Sequence, residues 1–157
     1  YYKTFSSPMQ RALAAYCRSG GNLLVSGAYI GSDMNDSQGN REFTQNVLKY
    51  RVGNSLQTSG GQIGIQGLGR SLSIPRLPNE QAYPVTAPDC ILPMATAFPV
   101  MTYTDGNQPA AIAYKGNDYR TFVMSFPFES IREETNRTAV MASILHFFTA
   151  DNTGMNR

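Results

Sequence analysis

Apolar and polar positions alternate along this chain in blocks that predict a series of short elements. Ser7-Pro8 is a helix-start signal, and Met9, Leu13, Tyr16 and Cys17 then fall on one face at helical spacing. Gly20-Gly21 ends that helix, because glycine takes a left-handed cap at low cost. The apolar run Asn22 to Ser26 reads as a parallel strand buried on both faces. It runs into a glycine-flanked turn, Gly27-Ala28-Tyr29-Ile30-Gly31. A polar loop over 31–40 and a helix from Glu42 to Leu48 follow.

Further along, Ile63 and Ile65 alternate with Gln62, Gly64 and Gln66, the period of a strand. Residues 70–99 carry six of the nine prolines and read as an ordered surface excursion. Three strand-like runs between Phe98 and Phe128 are separated by Asp105-Gly106-Asn107 and Gly116-Asn117-Asp118, both hairpin turn signals. The last element is a helix from Glu133 to Phe148, with Arg137, Met141, Ile144, Leu145 and Phe148 predicted on its packed face. No repeat or second domain interrupts residues 1–157, so a single domain is expected.

Composition narrows the function classes. Thirteen basic and eleven acidic residues give a formal charge of +2, and the basic residues are scattered, so no nucleic-acid partner is expected. No apolar run approaches the ~18 residues of a membrane span, so no membrane insertion is expected. Cys17 lies in the first helical pattern and Cys90 in the proline-rich stretch; two isolated cysteines read as free thiols. One histidine, His146, and no spaced cysteine pairs argue against a zinc site, and no cofactor is expected. His146 falls on the solvent side of the terminal helix, away from any nucleophile. "GGQIGIQGLG" lacks the Gly-Lys-Ser/Thr ending of a phosphate loop. The cluster Asp33, Asn35, Asp36, Asn40 and Glu42 lacks the glycine a calcium loop needs at its sixth position, where Gln38 stands.

The order helix, double glycine, buried strand and G-x-x-x-G elbow in "CRSGGNLLVSGAYIGSD", together with "MSFPFESI", resembles the class I glutamine amidotransferase-like domain of secreted bacterial xanthan lyase-like multidomain proteins. The resemblance implies an α/β, flavodoxin-like three-layer sandwich with a largely parallel sheet plus C-terminal β-hairpins. It also implies that the first strands of the full domain lie upstream of Tyr1, unless the chain is a compact variant. Carried over residue by residue, it leaves no catalytic set. Tyr29 stands where the nucleophilic cysteine would be, Pro127 and Phe128 where the histidine would be, and only the acidic partner remains, as Glu129. A phenol with a pKa near 10 and no imidazole cannot replace a thiolate and its base.

The resulting expectation is a non-catalytic module of a secreted, periplasmic or cell-surface bacterial protein. It would serve as scaffold or as a platform for glycan or for neighbouring domains of the same polypeptide. Tyr29, Asp33, Asn35, Asp36 and Glu129 are the ligand-binding candidates. The alternative is a hydrolase or lyase domain acting on polysaccharide or cell wall with altered catalytic residues, using Tyr29, Asp33 and Glu129.

Overall fold

Strands β7 (Pro109–Lys115) and β8 (Arg120–Met124) are the most deeply buried part of the fold. The computed structural model describes residues 3–80 and 83–151. Along these two strands apolar side chains alternate between two cores. Ala111, Ala113, Phe122 and Met124 face one, and Ile112 and Val123 face the other. A strand apolar on both sides needs cover on both sides. Helix α1 (Ser7–Arg18) covers one face through Ala14 and Cys17. Helix α3 (Glu134–Thr149) covers the other through Val140, Ile144 and Phe147.

The six-stranded sheet runs β1-β8-β7-β6-β3-β4, with β1 at Asn22–Ser26, β3 at Gln62–Gly67, β4 at Arg70–Pro75 and β6 at Phe98–Tyr103. A separate antiparallel pair joins β2 (Tyr50–Ser55) to β5 (Asp89–Pro93). Among the described residues only β1 and β8 are parallel, in register from Asn22 opposite Arg120 to Ser26 opposite Met124. Every other pairing is antiparallel. The flavodoxin-like, largely parallel sandwich expected above is therefore wrong: the sheet is curled, mixed and mostly antiparallel.

The reason is connection length. Parallel neighbours need a crossover of a dozen or more residues, whereas β3–β4, β6–β7 and β7–β8 are joined by short turns at 68–69, 104–108 and 116–119. In the first of these, Leu68 (φ 55°) and Gly69 (φ 72°) are both left-handed, the geometry of a type I′ hairpin.

Other expectations shift for equally local reasons. Ser6, one residue before the expected cap, accepts from the Met9 amide, and Met9 and Tyr16 are exposed. Tyr16 is spent on the glycine stop: its ring lies against Gly21 and its hydroxyl donates to the Asn22 carbonyl at 2.9 Å. The strand β1 is an edge strand, with Val25 its one fully buried side chain. The helix expected over 42–48 is α2 (Gln38–Phe43) continued by a π-helical turn, Thr44–Leu48, and ended by left-handed Lys49. On α3 the buried stripe is Val140, Ile144 and Phe147, while Leu145 is 54% exposed. Cys90 lies in β5 and not in a loop; both thiols are free and buried. Burial raises both thiol pKa values, that of Cys90 to about 11.

Buried polar groups are partnered where the two cores meet. The Tyr103 hydroxyl contacts the Ser125 Oγ at 2.9 Å and reaches the carbonyls of Asp89 (3.1 Å) and Ser125 (3.2 Å). Ser125 Oγ donates to the Ala110 carbonyl at 2.9 Å. Tyr103→Phe removes the hydroxyl at the centre of this set. We expect it to cost about 1–2 kcal/mol, read as a lower urea midpoint with an unchanged m-value.

Candidate functional site

The carboxyl ends of the parallel pair bring the two sequence motifs together. β1 delivers Gly27 and β8 delivers Phe126-Pro127-Phe128-Glu129 on the same side of the sheet. The Gly27 amide donates to the Met124 carbonyl at 3.1 Å, and the Phe128 amide to the Ser26 Oγ at 3.4 Å. Ser26 is exposed. Gly27 is required by space: a Cβ there would lie 2.8 Å from Ile30 Cγ2.

The group that fixes the turn is Asp89, at the start of β5, which sequence reasoning did not single out. Its Oδ2 accepts from the Gly31 amide (3.1 Å), the Ser32 amide (2.7 Å) and the Ser32 hydroxyl (2.9 Å). Its own amide donates to the Ala28 carbonyl at 2.8 Å. Three donors on one carboxylate oxygen make a strong, charge-assisted clamp. Behind it, the Tyr50 hydroxyl donates to the Ile30 carbonyl at 2.8 Å, and burial pushes that phenol's pKa upward. The only sequence hint was an acidic residue opening the short apolar run after Pro88; its partners lie 57 and 58 positions away.

The predicted residues divide. Tyr29 is 48% exposed at the tip of the turn. Pro127 is buried, Phe128 half-buried, and Glu129 exposed within a 3-10 turn, Phe128–Ser130. Asp33 is occupied by the N-terminal segment: its Oδ2 accepts from the Thr4 amide (2.6 Å) and hydroxyl (2.7 Å), and Lys3 pairs with Oδ1 at 3.4 Å. Asp36 pairs with Lys3 at 2.5 Å and accepts from Asn40 at 2.7 Å. The Asn35 carbonyl accepts from Arg41 at 2.8 Å. These acidic groups thus act as staples for residues 3–4 and for the start of α2.

His146 is exposed on α3. Among the described residues no three His, Cys, Asp or Glu side chains are placed to hold a metal ion. No helix among them is long and apolar enough to cross a membrane. The clefts lined by Arg132 and Arg137, by Arg11 and Phe43, by Met141 and Leu145, and by Arg70 and Ala139 take no wall from Tyr29, Asp33, Asn35, Asp36 or Glu129. A reaction at the turn would need a base beside Tyr29, and the carboxylate nearest in sequence, Asp33, is tied down elsewhere.

No protein-family profile matches the chain, and no curated protein matches it. Solved structures do. The N-terminal domain of mmIFT52 matches with a TM-score of 0.61 at 15% identity, over 94% of this chain and 73% of that one. A catalytic mutant of Gan42B, a GH42 beta-galactosidase from G. stearothermophilus, matches with a TM-score of 0.60 at 14% identity, over 91% of this chain. The exo-beta-1,4-mannosidase Op5Man5 from Opitutaceae bacterium strain TAV5 matches with a TM-score of 0.55 at 12% identity, over 93%. The chain spans only 20% and 24% of those two enzymes.

At such identities the likeness concerns the fold alone. It overturns the amidotransferase resemblance: the neighbours are an IFT52 domain and glycoside hydrolase domains, with no class I glutamine amidotransferase or xanthan lyase among them. The short elbow and strand-end motifs misled because a strand, a glycine turn and a following helix recur in many mixed sheets.

Two outcomes are expected. Asp89→Ala strands the Gly31 and Ser32 amides; it should cost about 2–3 kcal/mol and speed hydrogen exchange at those two amides above others. Hydrogen bonds from Lys3 and Asn40 hold the Asp36 pKa below 3.8. Its contribution to stability is therefore complete above 3.8 and lost as the pH falls through the lower folded value. Asp36→Asn should flatten the acid limb of a melting-temperature profile and leave its neutral and basic limbs parallel to wild type.

Proposed function

We propose that this chain is a non-catalytic module of a larger polypeptide, where it docks neighbouring domains through the outer face of α3. The carrying observation is the helix itself. Its inward stripe is Val140, Ile144 and Phe147, yet Met141, Ala142 and Leu145 face outward and, with Phe128, line a mainly apolar groove of about 480 Å³. An apolar strip on the outer face of an already packed helix marks a protein-contact surface. Glu134 and Arg137 flank the groove, giving the apolar centre and polar rim of a protein contact.

The structural likenesses support the same reading. A domain of this fold makes up about a fifth of the beta-galactosidase and mannosidase chains, so the fold serves as one part of longer polypeptides. A parent protein that processes carbohydrate is the setting we favour, with the chemistry resident in other domains. Tyr29 and Glu129, whose side chains hydrogen-bond to no described residue, are free for a secondary contact at the turn.

The test is association of this chain with the flanking segments of its parent polypeptide, made separately. Leu145→Asp should weaken that association at least about tenfold, as loss of a central apolar anchor does, without shifting the far-ultraviolet circular dichroism. Tyr29→Ala should leave it within about twofold. Failure of the flanking segments to bind, or binding indifferent to Leu145→Asp, would refute the reading.

A further inference from the structure

A second cleft, which shares Arg137 with the docking groove, has different chemistry. It encloses about 520 Å³ between the β3–β4 edge and the turn leading into α3, within the range of small-molecule sites. Its polar lining is Gln62, Ser73, Asn79, Arg132, Glu133 and Arg137, over a floor of Pro75 and Ile131. The walls are pinned. The Arg132 amide donates to the Ser73 carbonyl at 3.0 Å, fixing the turn to edge strand β4, and Arg137 Nη1 donates to the Ile131 carbonyl at 2.7 Å.

The charged groups in this cleft are not spent on one another. The Arg132 guanidinium and the Glu133 carboxylate have no hydrogen-bond or ion-pair partner among the described residues, and Arg137 uses one of its five donors. Glu133 sits at φ 71°, ψ 122°, a backbone conformation a side-chain-bearing residue adopts only at a cost of roughly 1–3 kcal/mol. The Glu133 side chain lines the cleft and does not cap the helix that follows.

We propose that this cleft binds a small carboxylated polyol, of the class of a uronate sugar. Two guanidiniums against one carboxylate leave a surplus positive charge, which calls for an anionic group; the planar fork of Arg132 suits a carboxylate. Glu133 accepts only, so it calls for hydroxyl donors on the same ligand. The side-chain amide of Gln62 and the hydroxyl of Ser73 offer both donors and acceptors around a ring of hydroxyls. A bare inorganic anion would leave Glu133 unanswered, and a neutral sugar would leave the arginines unanswered.

The site lies apart from Met141 and Leu145, and the inference does not rest on the docking role. Titration calorimetry and amide chemical shifts of the 157-residue chain, with sodium glucuronate, glucose and sodium sulfate in turn, decide it. Glucuronate should bind with a Kd on the order of a millimolar or tighter, at least about tenfold more tightly than either glucose or sulfate. Arg132→Gln and Glu133→Gln should each weaken it by about tenfold or more, with Leu145→Asp unaffected. Equal binding of sulfate, equal binding of glucose, shifts mapping outside the cleft, or no binding at ten times the expected Kd would each overturn the proposal.

Discussion

Everything in this fold depends on the double burial of β7 and β8. Residues 110–113 and 121–126 are sealed on both sides, so two separate apolar layers must be supplied by the rest of the chain. The N-terminal third provides one, through α1, the π-helical turn and Tyr50; α3 and the β3–β4 hairpin provide the other. Hydrogen bonds lock the layers to the strand ends. Tyr119 donates to the Val47 carbonyl at 2.7 Å, and Arg120 donates to the Phe147 carbonyl at 2.6 Å while lying over that ring. The last carbonyls of α3 thus receive a cation where the helix dipole is negative.

The two ends of α3 explain why a single helix carries so much of the functional reading. Its buried stripe belongs to the sheet, its outward stripe is apolar without cover, and its first turn borders a polar cleft. The strand-end turn, by contrast, is consumed by architecture. Asp89, Asp33 and Asp36 each engage their carboxylates with backbone amides, neighbouring side chains or Lys3, while Tyr29 and Glu129 face solvent there without such partners among the described residues.

How much of this was legible in the sequence follows the range of the interactions. Local signals read well: the glycine stop after α1, the strand Asn22 to Ser26, the alternation of Ile63 and Ile65, and the tight turns at Asp105-Gly106-Asn107 and Gly116-Asn117-Asp118 all correspond to elements. The sheet's direction did not, because a buried strand of five residues looks alike in a parallel or an antiparallel sheet. The face of α3 was ambiguous for a physical reason: with Met141 and Leu145 on one side and Val140 and Phe147 on the other, periodicity has no preferred direction. The candidate acids were visible as polar residues after a turn. That Thr4 would claim Asp33, and that Asp89 would claim the turn, depended on partners 29 and 57 positions apart. The polar cleft joins Gln62 to Arg137, a distance along the chain over which single-sequence patterns carry no information.

The lone parallel seam has a consequence for how the molecule is made. β1 precedes β8, its one sheet partner among the described residues, by nearly a hundred positions. Until β8 is made, β1 has no strand along either edge, while the hairpins between them can zip locally as they emerge. Closure of such a distant pair is slow relative to hairpin formation. The nascent chain therefore passes through a stage in which residues 22–26 are open to other chains or to a chaperone, and the β1–β8 pairing is the step that ends it.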